Sequence, residues 1–252
     1  MKEMIEELSI PSDPNLAPGE ARCPGRSVND ILSSENSRHD DGLMASSYKF
    51  LGSEDLPFSR YTDQEFYDQE IKKVWSKVWQ WACREEHVKE PGDYYVYDIG
   101  PYSAIVIRDA ANKIRAYVNS CPHRGMAFFD PGSQGTGKQF LRCPFHGMSW
   151  NLDGSLREIP CRWDFPHVSD ESFGLTEIPS GTWAGFVFIN FDLECGPLGD
   201  YLEVLPDHFK EWGIENRRVA IHTYKELPGN WKMCMEGFLE AYHVLATHPE
   251  GL

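Results

Sequence analysis

Cys121-Pro122-His123-Arg124-Gly125 and Cys143-Pro144-Phe145-His146-Gly147 are the two stretches that decide how this chain folds. Their spacing is C-x-H, nineteen residues, then C-x-x-H. Each stretch offers one thiolate and one imidazole, with a Pro after the Cys and a Gly shortly after the His. That composition suits a tight loop whose backbone comes close to a bound group. Three readings compete. The four residues are unrelated surface groups, or they close a tetrahedron around one zinc ion, or they divide between the two irons of a [2Fe–2S] cluster, two Cys on one and two His on the other. Structural zinc sites more often pair like ligands, as C-x-x-C or H-x-x-x-H, so the mixed pairs favour the cluster.

Outward from these loops the texture is that of strands. Residues 93–97, 103–108 and 114–119 are short runs rich in β-branched and aromatic residues, separated by Gly, Pro, Asn and Asp. Asn151-Leu152-Asp153-Gly154 reads as a hairpin turn. Residues 185–191 close the all-β region, and 192–197 read as a linker. Before the strands, Thr62 is positioned to cap a helix with Glu65 as its capping-box partner. Phe66, Ile71, Val74, Trp75 and Val78 then give a helical stripe up to about Trp79. Residues 1–47 carry Pro11, Pro14, Pro18, Pro24 and a Ser-rich run, and read as a disordered or loosely attached arm.

Near the end, a helix is expected from Trp231 towards Thr247. Met235, Leu239, Tyr242 and Ala246 would form its apolar stripe, while Glu236, Glu240, His243 and Thr247 share an adjacent face. That face is either solvated or a metal wall. His248, five residues after His243, would point about 140° away on a regular helix. Pro249 disfavours helical geometry at His248, so the chain should loosen there and let His248 swing back beside His243. Two histidines brought together in this way are the usual start of a 2-His-1-carboxylate iron site. Gly237, inside the expected helix, costs up to about 1 kcal/mol relative to Ala.

The 252 residues are 41% hydrophobic, enough for a packed core. A net charge of −15 argues against a nucleic-acid partner, which needs surplus Lys and Arg. No targeting or membrane-spanning stretch is expected, so the protein reads as cytoplasmic; the best apolar run, 183–191, is too short to cross a bilayer. Seven cysteines are a poor fit to a disulfide framework. Cys23, Cys83, Cys161, Cys195 and Cys234 read as ordinary buried thiols, and His39, His87, His167, His208 and His222 as isolated side chains.

The two loops, the second extended through Met148-Ser149-Trp150, resemble the cluster loops of Rieske non-haem iron ring-hydroxylating oxygenases, in their α (large) subunit. Glu236-x3-Glu240-x2-His243-x4-His248, preceded by Asn230-Trp231-Lys232, is similar to the mononuclear-iron motif of the same family. The resemblance runs from about residue 60 to the end. It implies an α+β fold: an all-β Rieske [2Fe–2S] domain (80–195) inserted after an N-terminal helical segment (48–79) that packs on the catalytic domain, then the start of a helix-grip, START-like catalytic domain (196–252). It implies that Cys121 and Cys143 hold the inner iron, His123 and His146 the outer iron, and His243 and His248 a mononuclear Fe(II). Glu240 would link that iron electronically to a Rieske histidine of a neighbouring subunit. Many members have Asp there, whereas some that hydroxylate quaternary amines have Glu. The family's third iron ligand comes from a much later segment, and Glu250 is poorly placed to replace it, so the chain is expected to be the front part of a longer protein and inactive alone. For the whole protein the resemblance implies mono- or dioxygenation of a small organic substrate with O2, an aromatic one on family frequency. Electrons would come from NAD(P)H through a reductase, a ferredoxin or both, to a homotrimer with or without a β subunit. The alternatives are a Rieske-type electron carrier, an oxygenase acting on a quaternary amine, and a zinc-stabilised binding module.

Overall fold

A computed structural model describes residues 28–36 and 54–248. The chain divides between Phe58 and Ser59 into two units. In the first, the helix α1 (Val28–Ser33) falls within the expected N-terminal arm; most of that arm lies outside the described residues, as do Pro249 and Glu250.

The second unit begins with two helices, α2 (Ser59–Thr62) and α3 (Gln64–Glu70), and a π-helical turn at Ile71–Trp75. Eleven strands follow among the described residues: β1 (Gln80–Arg84), β2 (Tyr94–Ile99), β3 (Tyr102–Arg108), β4 (Ile114–Val118), β5 (Gln134–Gly135), β6 (Leu141–Arg142), β7 (Ser149–Trp150), β8 (Leu156–Glu158), β9 (Glu177–Ile178), β10 (Ser180–Trp183) and β11 (Phe186–Ile189). Four short helices close the order: α4 (Leu198–Leu202), α5 (Leu205–Phe209), α6 (Trp231–Glu236) and α7 (Val244–Thr247). No described helix is long and apolar enough to cross a membrane.

The central sheet has the order β5-β2-β3-β4-β9 and is antiparallel throughout. Its side chains alternate, and both faces are covered. Tyr94, Val96, Ile105, Ile107 and Tyr117 face one core, which also contains Cys121, Cys143, Met148 and Trp150. Ala104, Val106 and Ala116 face a second core, shared with Ala82, Cys83, Val187 and Ile189 of the three-stranded sheet β1-β11-β10. Burying each aliphatic side chain contributes roughly 1.5–3 kcal/mol, so this doubly covered sheet is the rigid base on which the two Cys/His loops stand. The third sheet, β6-β7-β8, carries the second Cys/His loop between β6 and β7. It is tied down by Trp150, whose Nε1 donates to Phe173 O at 2.8 Å, and by Tyr117, whose hydroxyl donates to Leu152 O at 3.2 Å.

The expected hairpin turn is present, as a five-residue connection between β7 and β8. Gly154 has φ +83°, its amide donates to Asn151 O at 3.0 Å, and a Cβ there would stand 2.6 Å from the Tyr117 ring. A third, smaller core joins Trp79, Leu198 and Leu202. Trp79 Nε1 donates to Gly196 O and the buried Arg84 donates to Arg217 O, so the β1-β11-β10 sheet is bonded to the segment that follows it.

Two helix expectations need correction. The cap before α3 is Asp63, whose Oδ1 accepts from Phe66 N at 3.0 Å, and not Thr62, which ends α2; Asp also outranks Thr at this position. The regular α-helix then stops at Glu70 instead of running to Trp79. The helix expected over 231–247 is broken: α6 ends at Glu236, and α7 starts only at Val244. The reason is visible in the hydrogen bonds. Phe238 N and Leu239 N turn back to Met235 O and Glu236 O, three residues away, around Gly237. The amides of Tyr242 and His243, which a continuous helix would pair with Phe238 and Leu239, go instead to Glu240 Oε2. A short acidic side chain has outcompeted the helical ladder. The apolar stripe is therefore not assembled: Met235, Leu239 and Tyr242 are exposed.

Candidate metal centres

The two Cys/His loops are built on one frame. In each, the Cys amide donates to the carbonyl five residues on, Cys121 N to Met126 O and Cys143 N to Met148 O, both at 2.8 Å. In each, the Gly amide four residues on donates back to the Cys carbonyl, at 2.9 Å for Gly125 and 3.0 Å for Gly147. Both glycines are left-handed, at φ +73° and +77°, a conformation that carries little cost only for Gly. The histidines differ by one place within the shared frame, and this accounts for the unequal C-x-H and C-x-x-H spacing. The base of the first loop is closed by Asn119, which is buried. Its Oδ1 accepts from Phe128 N at 2.9 Å, and its Nδ2 donates to Phe129 O at 2.9 Å and to Ser103 Oγ at 3.1 Å. Asn119 follows β4 and was not singled out from sequence.

The four donors fall into two pairs, one buried and one exposed. Cys121 and Cys143 are each only 2% exposed and lie in the same buried core. Burial pushes the Cys121 thiol up, the amides of His123 and Arg124 oppose the shift, and Cys143 adds to it. His123 and His146 are exposed, and their Nδ1 atoms face each other at 3.2 Å. A buried thiol pair with an exposed imidazole pair fits a binuclear cluster, in which each iron takes two protein ligands. Among the described residues no three His, Cys, Asp or Glu side chains converge as they would on a single ion. Cys83 is different in kind: burial pushes its thiol up to about 12, and it packs as an apolar residue in the second core.

The second candidate centre lies at α7. His243 precedes α7 and His248 follows it, and their rings lie 5.6 Å apart, centroid to centroid, at 78°. The two expected histidines are thus neighbours, although the helical break falls before His243. Glu240 Oε1 lies 2.6 Å from His243 Nδ1, and this bond holds the carboxyl below its usual range. With Nδ1 engaged, Nε2 is the nitrogen of His243 left for a metal. Two imidazoles lie side by side and a carboxylate braces one of them, His243, as a metal-bound histidine is commonly held through its other ring nitrogen. Glu236, expected on the same face, turns away to Tyr61, whose hydroxyl lies 3.0 Å from both carboxylate oxygens. His87 and His222, isolated in the sequence, meet at 5.8 Å across a cavity of about 280 Å³ that contains none of these donors.

Two family models match in succession: the Rieske [2Fe-2S] domain over residues 78–169, and the catalytic domain of the ring hydroxylating alpha subunit over 209–252. The chain belongs to the Rieske oxygenase large-subunit family. Membership implies a Rieske [2Fe–2S] cluster and a mononuclear iron. Among curated proteins, the Rieske chain is similar to the large oxygenase component of salicylate 5-hydroxylase from Ralstonia sp, 30% identical over 78% of this chain and 49% of that protein. It is also similar to the carnitine monooxygenase oxygenase subunit of Escherichia coli K12, 28% identical over 77% and 52%. The chain spans about half the length of these curated relatives. Among solved structures, the quaternary ammonium Rieske monooxygenase CntA with L-carnitine matches at TM-score 0.71 and 26% identity, over 77% of this chain and 55% of that one. Naphthalene 1,2-dioxygenase from Rhodococcus sp. matches at 0.68 and 27%, over 77% and 46%.

Proposed function

We propose that the protein carrying this chain is the oxygenase component of an electron-transfer system that hydroxylates an organic substrate with O2. Cys121 and Cys143 hold the inner iron of the cluster, His123 and His146 the outer iron, and His243 and His248 the mononuclear iron. When bound, the cluster relays single electrons supplied through a reductase or ferredoxin, and the mononuclear iron activates O2. The protein's own contribution is placement. The loops leave the imidazole edge of the cluster at the surface, where an electron partner reaches it. Glu240 fixes the His243 ring and presents a charged carboxylate through which that ring is coupled to a second imidazole, that of a neighbouring copy in a homotrimer.

The observation that carries the reading is the 2.6 Å bond between Glu240 and His243, because a pure Rieske electron carrier has no use for a carboxylate-braced histidine with a second histidine beside it, far beyond its cluster loops. The aromatic substrate expected from family frequency has support from the salicylate and naphthalene enzymes. The alternative substrate, a quaternary amine, is favoured by Glu240 itself, since the usual acid of the family at that place is Asp, and by the carnitine, glycine betaine and choline monooxygenases among the relatives. The test supplies the protein at its natural full length with a reductase, NAD(P)H and ¹⁸O₂, and offers salicylate-like and carnitine-like compounds separately. Label is expected in the product of the amine. Label only in the aromatic product would reverse the choice of substrate, and label in neither class, with electrons still passing through the cluster, would favour the electron carrier.

A further inference from the structure

Between Asn230 and Val244, Lys232 alone is buried, so α6 is the anchored part of the segment that leads to Glu240 and His243. What anchors it is the stretch 61–75, which lies before the first strand. At the start of α6, Asn230 Nδ2 donates to Tyr61 O at 3.0 Å, and Asn230 Oδ1 caps the helix through Lys232 N at 3.0 Å. In its first turn, Lys232 Nζ lies 2.8 and 2.9 Å from the two oxygens of Glu70, with the two side chains 5% and 10% exposed. At its last residue, Glu236 accepts from Tyr61. Aromatic rings enclose the ammonium: Tyr61 at 5.7 Å, Phe66 at 5.1 Å and Trp231 at 5.3 Å. Trp231 Nε1 also donates to Glu70, and its ring meets Trp75 edge-on at 4.9 Å. Glu70 ends α3, and the chain widens into the π turn immediately after it. Such turns are rare and are found frequently at functional sites.

Stability alone does not account for this arrangement. Replacing a buried ion pair by apolar groups of similar volume is often neutral or stabilising. What the pair does constrain is position, since Lys232 Nζ has to stay within reach of both Glu70 oxygens inside the ring of aromatics.

We infer that Glu70 and Tyr61 are positioning residues, which fix the rotation and height of α6 through Lys232 and Glu236 and thereby set where the Glu240–His243–His248 segment presents its imidazoles. The inference rests on the metal-holding reading of His243 and His248. It assigns to the helical segment ahead of the cluster domain a role at the other metal centre.

The test uses the 252-residue chain with its cluster kept oxidised and therefore EPR-silent. Co(II) is titrated in and its binding read by low-temperature EPR. The pair is neutralised as Glu70→Gln with Lys232→Met, and the hydroxyl is removed separately as Tyr61→Phe. Co(II) affinity should fall about 10-fold in the double variant, the lower end of what losing a group that orients a metal ligand costs, and by less, about 3-fold, in Tyr61→Phe. The melting midpoint and the g-values of the reduced cluster should not move. Amide hydrogen exchange over 238–248 should quicken in both variants. Wild-type Co(II) affinity in both overturns the inference. If the double variant does not fold, Tyr61→Phe decides alone, because it removes a single partly buried oxygen. A His243→Ala control separates the two layers: if Co(II) binding survives it, the metal reading beneath the inference falls, whereas if binding is lost there but unchanged in the other variants, only the positioning role falls.

Discussion

Cys143→Ser is expected to yield a colourless protein. The Cys143 sulfur sits in a buried core with Cys121, where a serine hydroxyl is a poor ligand and a thiolate cannot be replaced by water. Each iron of the proposed cluster has two protein ligands, so losing one leaves the inner iron with a single anchor. Cys121→Ser should do the same, because its loop repeats the frame bond for bond. Cys161→Ser should keep full colour: Cys161 is exposed, and it precedes a short 3₁₀ turn outside both frames. Visible absorbance and iron content per chain check all three. Full cluster content in Cys143→Ser would remove that residue from the ligand set.

The second large effect is expected at Glu240. Both of its oxygens are in use: Oε1 on His243 Nδ1, and Oε2 on the amides of Tyr242 and His243. Gln offers one acceptor where Glu offers two, and no charge. In the full-length enzyme Glu240→Gln should therefore keep both metals while turnover falls roughly 100-fold, the upper end for an outer-shell carboxylate. Metal analysis and single-turnover reduction of the variant check the split. Iron lost in step with activity would make Glu240 a ligand instead of a coupler.

The strands and the paired frame of the two Cys/His loops were legible in the sequence, for a physical reason. Strands β2, β3 and β4 are five residues or longer and alternate between two cores, so Ile105 and Val106 announce their faces by period alone. The cluster loops announce themselves by residue type. Strands of two residues, such as β5, β6 and β9, are too short to show any period. The chain leaves the helix at His248 as expected, but the additional break before His243 was not foreseen, because periodicity is blind to a side chain that captures its own backbone, as Glu240 does. The cap at Asp63 was missed by one residue because Thr62 and Asp63 are both competent caps. Lys232 and Glu70 lie 162 residues apart, and nothing local in either helix hints that they meet. Asn230-Trp231-Lys232 stood out as part of the family motif, but its buried partner did not.

The most direct test of the account is the composition and spectrum of the anaerobically purified wild-type chain. It should be brown, hold two irons and two acid-labile sulfides at the Cys121, His123, Cys143 and His146 loops, and show on reduction a rhombic EPR signal of low average g, as expected when two imidazoles replace two thiolates on one iron. A colourless protein holding one zinc ion at those loops, with neither sulfide nor an EPR signal, would contradict it.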